Sequence, residues 1–322
     1  MSVSKDSSYQ RVASQRFPLA IRLLRKCLVR SRMLSGIRSI PFFGYKLFVD
    51  LDQPGISRTV FEERIRELDH CVVFKRYIEN KRRFLDLGAN IGYYVLFTLA
   101  NANDDAFVLC LEPDPRNVAL LRRTIEANEI ENATEVVQQA VAGKSGTANF
   151  ELSRATNLNK LSDMNRGGGG RRSTEGCSTN KVVVQCLSLD DVFRNYGAFE
   201  SLRMDVEGAE ASIFSGACEL FLAAMPKGSI IFMEAHPNTY IPDTEAMRVG
   251  LTKILASGFK QFGFVTSGVS PCKKIIESYG LPEESFREGG FIRYNYENVR
   301  FEFWREIATT TPKAIRYLYC LK

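Results

Sequence analysis

Apolar residues along this chain fall into short unbroken runs, with amphipathic stretches between them. The runs at 84–88, 106–112, 134–141, 202–206, 229–233 and 259–265 have the length and composition of strands buried on both faces. The stretches at 92–101, 115–128, 207–224 and 244–257 carry apolar residues at helical spacing, with Val95, Leu96, Leu99 and Ala100 on one face of the first. Regular alternation of strand and helix implies a parallel sheet covered by helices on both sides. A last strand is expected at 299–304 and a terminal helix at 312–321. The alternation breaks at 146–189. There 146–153 and 181–189 look like antiparallel strands flanking a long polar segment with Gly167 to Gly170, which suits a mobile flap or substrate lid. Upstream, 17–33 is expected as a helix, 45–52 as a strand and 60–77 as a helix. The chain thus divides into an arm (1–44), an α/β domain (45–310, with an insertion at about 146–189) and a helical tail (311–322).

The first run leads into Asp86-Leu87-Gly88-Ala89-Asn90-Ile91-Gly92-Tyr93, a strand, a glycine bend and a helix in that order. Such a bend offers backbone N–H groups at a helix start to a ligand. Its G-x-x-x-G spacing lacks the glycine at position 90 that a pyrophosphate fingerprint requires. The second run ends in Glu112-Pro113, roughly 20 residues past the bend, where an ionised carboxylate can accept from both hydroxyls of a ribose. Gln139 and Ala140 close the third run, where an adenine ring would rest. These residues suit a nucleoside without a pyrophosphate, and S-adenosylmethionine is one.

Composition narrows the class. With 45% hydrophobic residues the chain can bury a large core, and no run approaches the roughly 18 apolar residues of a membrane span. The eight cysteines form no C-x-x-C pair, which favours a reduced, cytoplasmic protein over a disulfide scaffold or zinc site. The net charge of +6 is concentrated: ten Lys and Arg precede residue 49, against Asp6 alone. The basic character therefore belongs to the arm, and no nucleic-acid partner is expected. Within the arm, Phe17, Ala20, Ile21, Leu24, Cys27 and Leu28 share one helical face, with Arg22, Arg25 and Lys26 opposite. That pattern suits either peripheral contact with an anionic membrane surface through 17–33 or packing on the protein's own domain.

Asp86 to Gly92, Glu112-Pro113 with Asn117, Ser188-Leu189-Asp190-Asp191 and above all Met204-Asp205-Val206-Glu207-Gly208-Ala209-Glu210 together resemble the FkbM family of S-adenosylmethionine-dependent methyltransferases, over roughly 45–305. The resemblance implies a Rossmann-like sheet of seven strands, mostly parallel with one antiparallel. It also implies methyl transfer, usually to a hydroxyl oxygen of a glycan, polyketide or other small-molecule acceptor. The residues expected to bind the cofactor are Asp86, Gly88, Ala89, Asn90, Gly92, Tyr93, Glu112, Pro113, Asn117, Gln139, Ala140 and Asp205.

Methyl transfer from a sulfonium is mostly a matter of in-line positioning, and an alcohol acceptor also needs a base for its proton. Ligands of open parallel sheets sit at the carboxyl ends of the strands. Three such ends carry acids or bases: Asp86 with Asn90 at the cofactor end, and Asp205 with Glu207 and Glu210, and Glu234 with His236, where catalysis is expected. Asp205 leads for orienting the acceptor or holding the cofactor amine, and His236 is the best base by intrinsic pKa. Glu207 and Glu234 complete the expected catalytic set. Glu210 reads equally well as a charge at a helix start, and His70 as structural. No metal is expected, because the spacing does not demand an octahedral oxygen set. The competing readings are N- or protein-directed methyl transfer, a pyridine-nucleotide oxidoreductase, and a membrane-tethered nucleoside-binding module without catalysis.

Overall fold

The structure is a computed structural model. It describes residues 12–153, 160–162, 180–236, 244–267, 284–288, 291–309 and 315–322. Gly167 to Gly170 and most of the 267–297 connection lie outside those residues. In chain order the strands are β1 (Ile37–Phe42), β2 (Tyr45–Asp50), β3 (Arg83–Leu87), β4 (Phe107–Leu111), β5 (Thr134–Val137), β6 (Ala140–Val141), β7 (Gly146–Leu152), β8 (Lys160–Ser162), β9 (Asn180–Leu187), β10 (Ser201–Met204), β11 (Ile230–Glu234), β12 (Gln261–Ser267), β13 (Glu284–Glu288), β14 (Phe291–Val299) and β15 (Ile315–Leu321). They belong to two compact units.

The first unit comprises Met1–Glu79, Gly88–Ala140 and Thr147–Gln185. Its β1–β2 hairpin extends the expected 45–52 strand and turns at Phe43 and Gly44, both at positive φ. Thr124 and Asn128 secure β2: Thr124 Oγ1 accepts from Phe48 N (3.1 Å) and Asn128 Oδ1 from Lys46 N (2.7 Å). β4 and β5 pair in parallel. The expected 134–141 strand is interrupted at Gln138 and Gln139, with Gln139 N turned back to Val137 O (2.9 Å). The expected 60–77 helix forms as two, Ile56–Glu63 and Leu68–Ile78. The break lies at Arg64 and Glu67, both at positive φ. The phenol of Tyr93 pins it, accepting from Arg66 N (3.1 Å) and donating to Arg66 O (3.0 Å). His70 is buried beside Tyr94, as a structural residue would be.

The second unit comprises Asn80–Leu87, Val141–Gly146 and Cys186–Lys322. Its sheet runs β13-β14-β12-β15-β11-β10-β3. β3, β10 and β11 are parallel and buried along nearly their whole length, as strands covered on both faces must be. The terminal segment corrects the expectation of a helical tail. Ile315–Leu321 is a strand that pairs antiparallel with β11 on one side and β12 on the other, with Tyr317, Leu318, Tyr319 and Cys320 all buried. A short apolar run fits helix or strand equally by periodicity, and its aromatic residues were the tie-breaker. The expected strand at 299–304 is likewise corrected. β14 ends at Val299, and Phe301–Thr309 is a helix burying Phe303, Trp304, Ile307 and Ala308 at helical spacing. Trp304 Nε1 donates to Gly263 O (3.0 Å). The expected 207–224 helix is also two, Glu210–Ser215 and Glu219–Ala224. Of the strands in this unit's sheet, two go beyond the seven expected for the whole α/β domain. The β13–β14 hairpin is the surplus.

Candidate active site

In the first unit the chemistry gathers at the glycine bend. Gly88, Asn90 and Gly92 have φ of +77°, +52° and +92°, so the chain turns sharply through three left-handed residues. The expectation of open N–H groups there is corrected. Gly88 N and Ala89 N both donate to Leu111 O (2.9 and 3.3 Å), and Gly92 N donates to Ala89 O (3.0 Å). Ile91 N donates to the Asn90 side chain (2.9 Å) and Asn90 N to Glu112 Oε2 (2.8 Å). A bend whose donors are consumed internally is no anion cradle, in keeping with the missing pyrophosphate fingerprint.

Glu112 is the organiser of the bend. Besides Asn90 N on Oε2, its Oε1 accepts from Asp114 N (2.9 Å) and Asn117 Nδ2 (3.3 Å). Burial pushes its carboxyl up to about 7, against the pull of those three donors. A carboxylate has four lone-pair positions, and the three bonds leave one, on Oε2. The expected grip on both ribose hydroxyls by Glu112 alone is therefore corrected to a single free position. Asn117 Oδ1, buried beside it, accepts no hydrogen bond among the described residues. Pro113 and Gln139 are half-buried and Ala140 is buried. Tyr93, expected at the cofactor, spends its hydroxyl on the Arg66 turn.

Gly92 also decides packing. A Cβ there would meet Leu121 Cδ1 at 2.7 Å, in a backbone conformation that side chains avoid. Gly92→Ala is expected to lower stability by about 1–3 kcal/mol, seen as a fall in melting temperature. An unchanged melting temperature would show the bend to be more adaptable than its φ suggests.

In the second unit β10 ends at Met204, and Asp205 N donates to Leu87 O (3.0 Å). Glu207 and Gly208 then both adopt positive φ, +50° and +102°, before the helix from Glu210 begins. Left-handed backbone at a glutamate is uncommon and concentrates at functional turns. Glu210 is fully buried, and its Oε1 lies 2.6 Å from His236 Nδ1. On the other ring nitrogen, His236 Nε2 stands 3.5 Å from Glu207 Oε2, 3.8 Å from Glu234 Oε1 and 3.9 Å from Asp205 Oδ1. Four carboxyl groups therefore surround one imidazole. Its burial works against a charge, but Glu210, Asp205 and Glu207 outweigh that and hold His236 up at about 11. At neutral pH the ring is a cation with no lone pair to offer. The expectation that His236 is the base is corrected for that reason, and the ring becomes the electrostatic centre of the carboxyl groups.

Asp205, Glu234 and His236 each offer one ligand atom, and the three atoms lie within 4.8 Å of one another, a spacing that could hold a metal ion. A ligating imidazole must be neutral, so a metal at this position would have to displace the proton that the surrounding carboxyl groups favour on the ring.

Arg203 is the functional residue that the sequence reading missed. It sits in β10 directly opposite Asp86 of β3, buried, and bridges Asp86 Oδ1 (3.2 Å) and Asp205 Oδ2 (3.0 Å). Asp86, expected at the cofactor, is buried beneath this guanidinium and so serves to hold it. The signal was available: one arginine inside Leu202-Arg203-Met204, with acids at neighbouring strand ends, asks for a buried ion pair. Glu210, which the sequence reads equally as part of the acidic strand end and as a helix-start charge, orients His236.

Residues 86–264 match the methyltransferase FkbM domain model. No curated protein sequence matches the chain. Solved structures offer distant likenesses. One is an FkbM methyltransferase from Methylobacillus flagellatus KT, 12% identical, covering 90% of this chain and 58% of that one at a TM-score of 0.38. Another is an O-methyltransferase from Bacillus cereus in complex with SAH, 11% identical, covering 90% and 96% at a TM-score of 0.40. A third is fibrillarin from Aeropyrum pernix with bound S-adenosyl-L-methionine, 10% identical, covering 81% and 82% at a TM-score of 0.37.

Proposed function

The chain belongs to the FkbM methyltransferase family, whose methyl donor is S-adenosylmethionine, and from that premise we propose that it methylates a hydroxyl of an uncharged acceptor, a saccharide or another hydroxylated natural product. The carrying observation is the carboxyl cluster around His236. Four carboxyl groups against one imidazolium make a negative site. Such a site repels phosphate- or carboxylate-bearing acceptors and accepts hydrogen bonds from a polyol.

The bend of the first unit also fits a nucleoside. A ribose diol brings two O–H donors, and Glu112 Oε2 and Asn117 Oδ1 are two buried acceptor positions with capacity left. When bound, S-adenosylmethionine supplies the electrophilic methyl group. The chain's own residues do the rest. Asp205 and Glu234, each partly exposed, are placed to receive the acceptor's proton. Arg203 fixes Asp205, and Glu210 fixes the ring of His236, whose charge steadies the carboxyl groups around it.

Asp205→Asn and Glu234→Gln test this assignment with a labelled methyl donor and a panel of glycosides. At least one variant should lose about 100-fold or more in kcat while calorimetry still registers S-adenosylmethionine, and NAD should give no heat with the wild type. The kcat profile of the wild type should show no limb near pH 6.5, the ordinary histidine value. A rising limb there would return the base role to His236, and turnover only on amines would remove the hydroxyl acceptor.

A further inference from the structure

The helix Leu19–Arg30 is docked with its polar face inward. Arg22 Nη2 pairs with Glu63 (3.2 Å), and Arg25 Nη1 donates to Phe61 O (2.8 Å). The Arg25 guanidinium lies between two rings, 4.1 Å from the centroid of Phe17 and 4.5 Å from that of Phe61. Val29 is the one buried residue of the helix. An amphipathic helix held by its own domain normally buries its apolar side. Here that side faces out: Leu19, Leu23 and Leu24 are 66%, 55% and 58% exposed, Ile21 is exposed, and Met33 (73%) and Ile37 follow just beyond the helix. Six of the ten large apolar side chains exposed among the described residues fall within this one segment, which marks it as a surface built for contact rather than scattered exposure.

The charges name the occupant. Lys26, Arg30, Arg32 and Arg38 are exposed around the apolar side, and no acidic residue occurs between 12 and 49. A second copy meeting this surface about a two-fold axis would set like charge on like charge. The outward side chains are Leu, Ile and Met without an aromatic anchor, unlike the core of a protein interface. No described helix is long and apolar enough to cross a membrane. We propose that this segment lies in the plane of an anionic lipid surface. Leu19, Ile21, Leu23, Leu24 and Met33 would enter the headgroup–acyl boundary, and the basic residues would meet lipid phosphates. The arginine docking then has a purpose: it holds the apolar side outward on a rigid support.

The test sediments the full chain with phosphatidylcholine vesicles and with phosphatidylserine-containing vesicles. The comparison is the triple variant Leu19→Ser, Leu23→Ser, Leu24→Ser, whose changed side chains are exposed. The wild type should bind the anionic vesicles about tenfold or more tightly than the neutral ones, less so at high salt. The variant should lose about tenfold or more on the anionic vesicles, with its circular dichroism and cofactor affinity unchanged. Wild-type protein left in the supernatant overturns the proposal, as does a variant that sediments equally well. A dimer seen by light scattering and dissolved by the triple variant also overturns it, because the surface then belongs to a second copy. Cofactor titration reads the methyltransferase assignment separately, so either can fail without the other.

Discussion

Arg203→Met is expected to destabilise the protein by about 3–5 kcal/mol near neutral pH, measured by urea unfolding. Arg203 and Asp86 are both buried, and the guanidinium is the described partner of the Asp86 carboxyl. Burial raises the pKa of Asp86, and Arg203 opposes that rise. Methionine keeps much of the volume of the arginine stem but leaves the carboxyl without its counter-charge. The pH dependence has a definite sign. A carboxyl whose folded pKa is raised contributes its stability below the unfolded value and loses it as pH climbs through the folded one. Without Arg203 that folded value rises further. The variant should therefore lie closest to the wild type in acid and fall away from it as pH increases. Adding Asp86→Asn should restore part of the loss at neutral pH. A deficit under about 1 kcal/mol, or one independent of pH, would mean that water or another group already serves Asp86.

Glu112→Gln should weaken S-adenosylmethionine binding by about 1–3 kcal/mol, read by calorimetry. Three donors converge on the two oxygens of Glu112. A glutamine has one oxygen, so its amide nitrogen must confront at least one of those N–H groups. The bend that carries Asn90 then shifts along with the last acceptor position. The wild type makes a second demand. With the carboxyl at about 7, the acceptor form is a minority in mild acid and dominates in mild base. Affinity should improve about tenfold between about pH 6 and pH 8 and then level off. Protein stability runs the opposite way: the contribution of this group is complete below the unfolded value and fades as pH rises toward 7. A dissociation constant flat across that range, with the glutamine variant binding like the wild type, would remove Glu112 from the cofactor's contacts.

What was legible and what was not follow from how each feature is encoded. Gly88 and Gly92 could be found by inspection because left-handed backbone calls for glycine. Asn90 and Glu207 take the same conformation without advertising it. The runs that became β3, β4, β10 and β11 were plain because strands covered on both faces are mainly apolar, with a buried charge such as Asp86 or Arg203 needing a partner. β15 departs from the expected terminal helix because its apolar run fits a helix as well as a strand, and only its place between β11 and β12 decides the matter.

The sequence by itself determined the alternation of strand and helix, the position of the glycine bend, the acids at the strand ends and the basic character of the N-terminal segment. These are local quantities, readable from residue type and spacing along the chain. The tertiary structure alone decided that Arg203 stands across from Asp86, that Glu210 locks His236, that four carboxyl groups convert a nominal base into a cation, and that the first helix turns its leucines outward. A proton's affinity and a side chain's exposure depend on neighbours brought together from distant parts of the chain, and no property of a residue in isolation contains them.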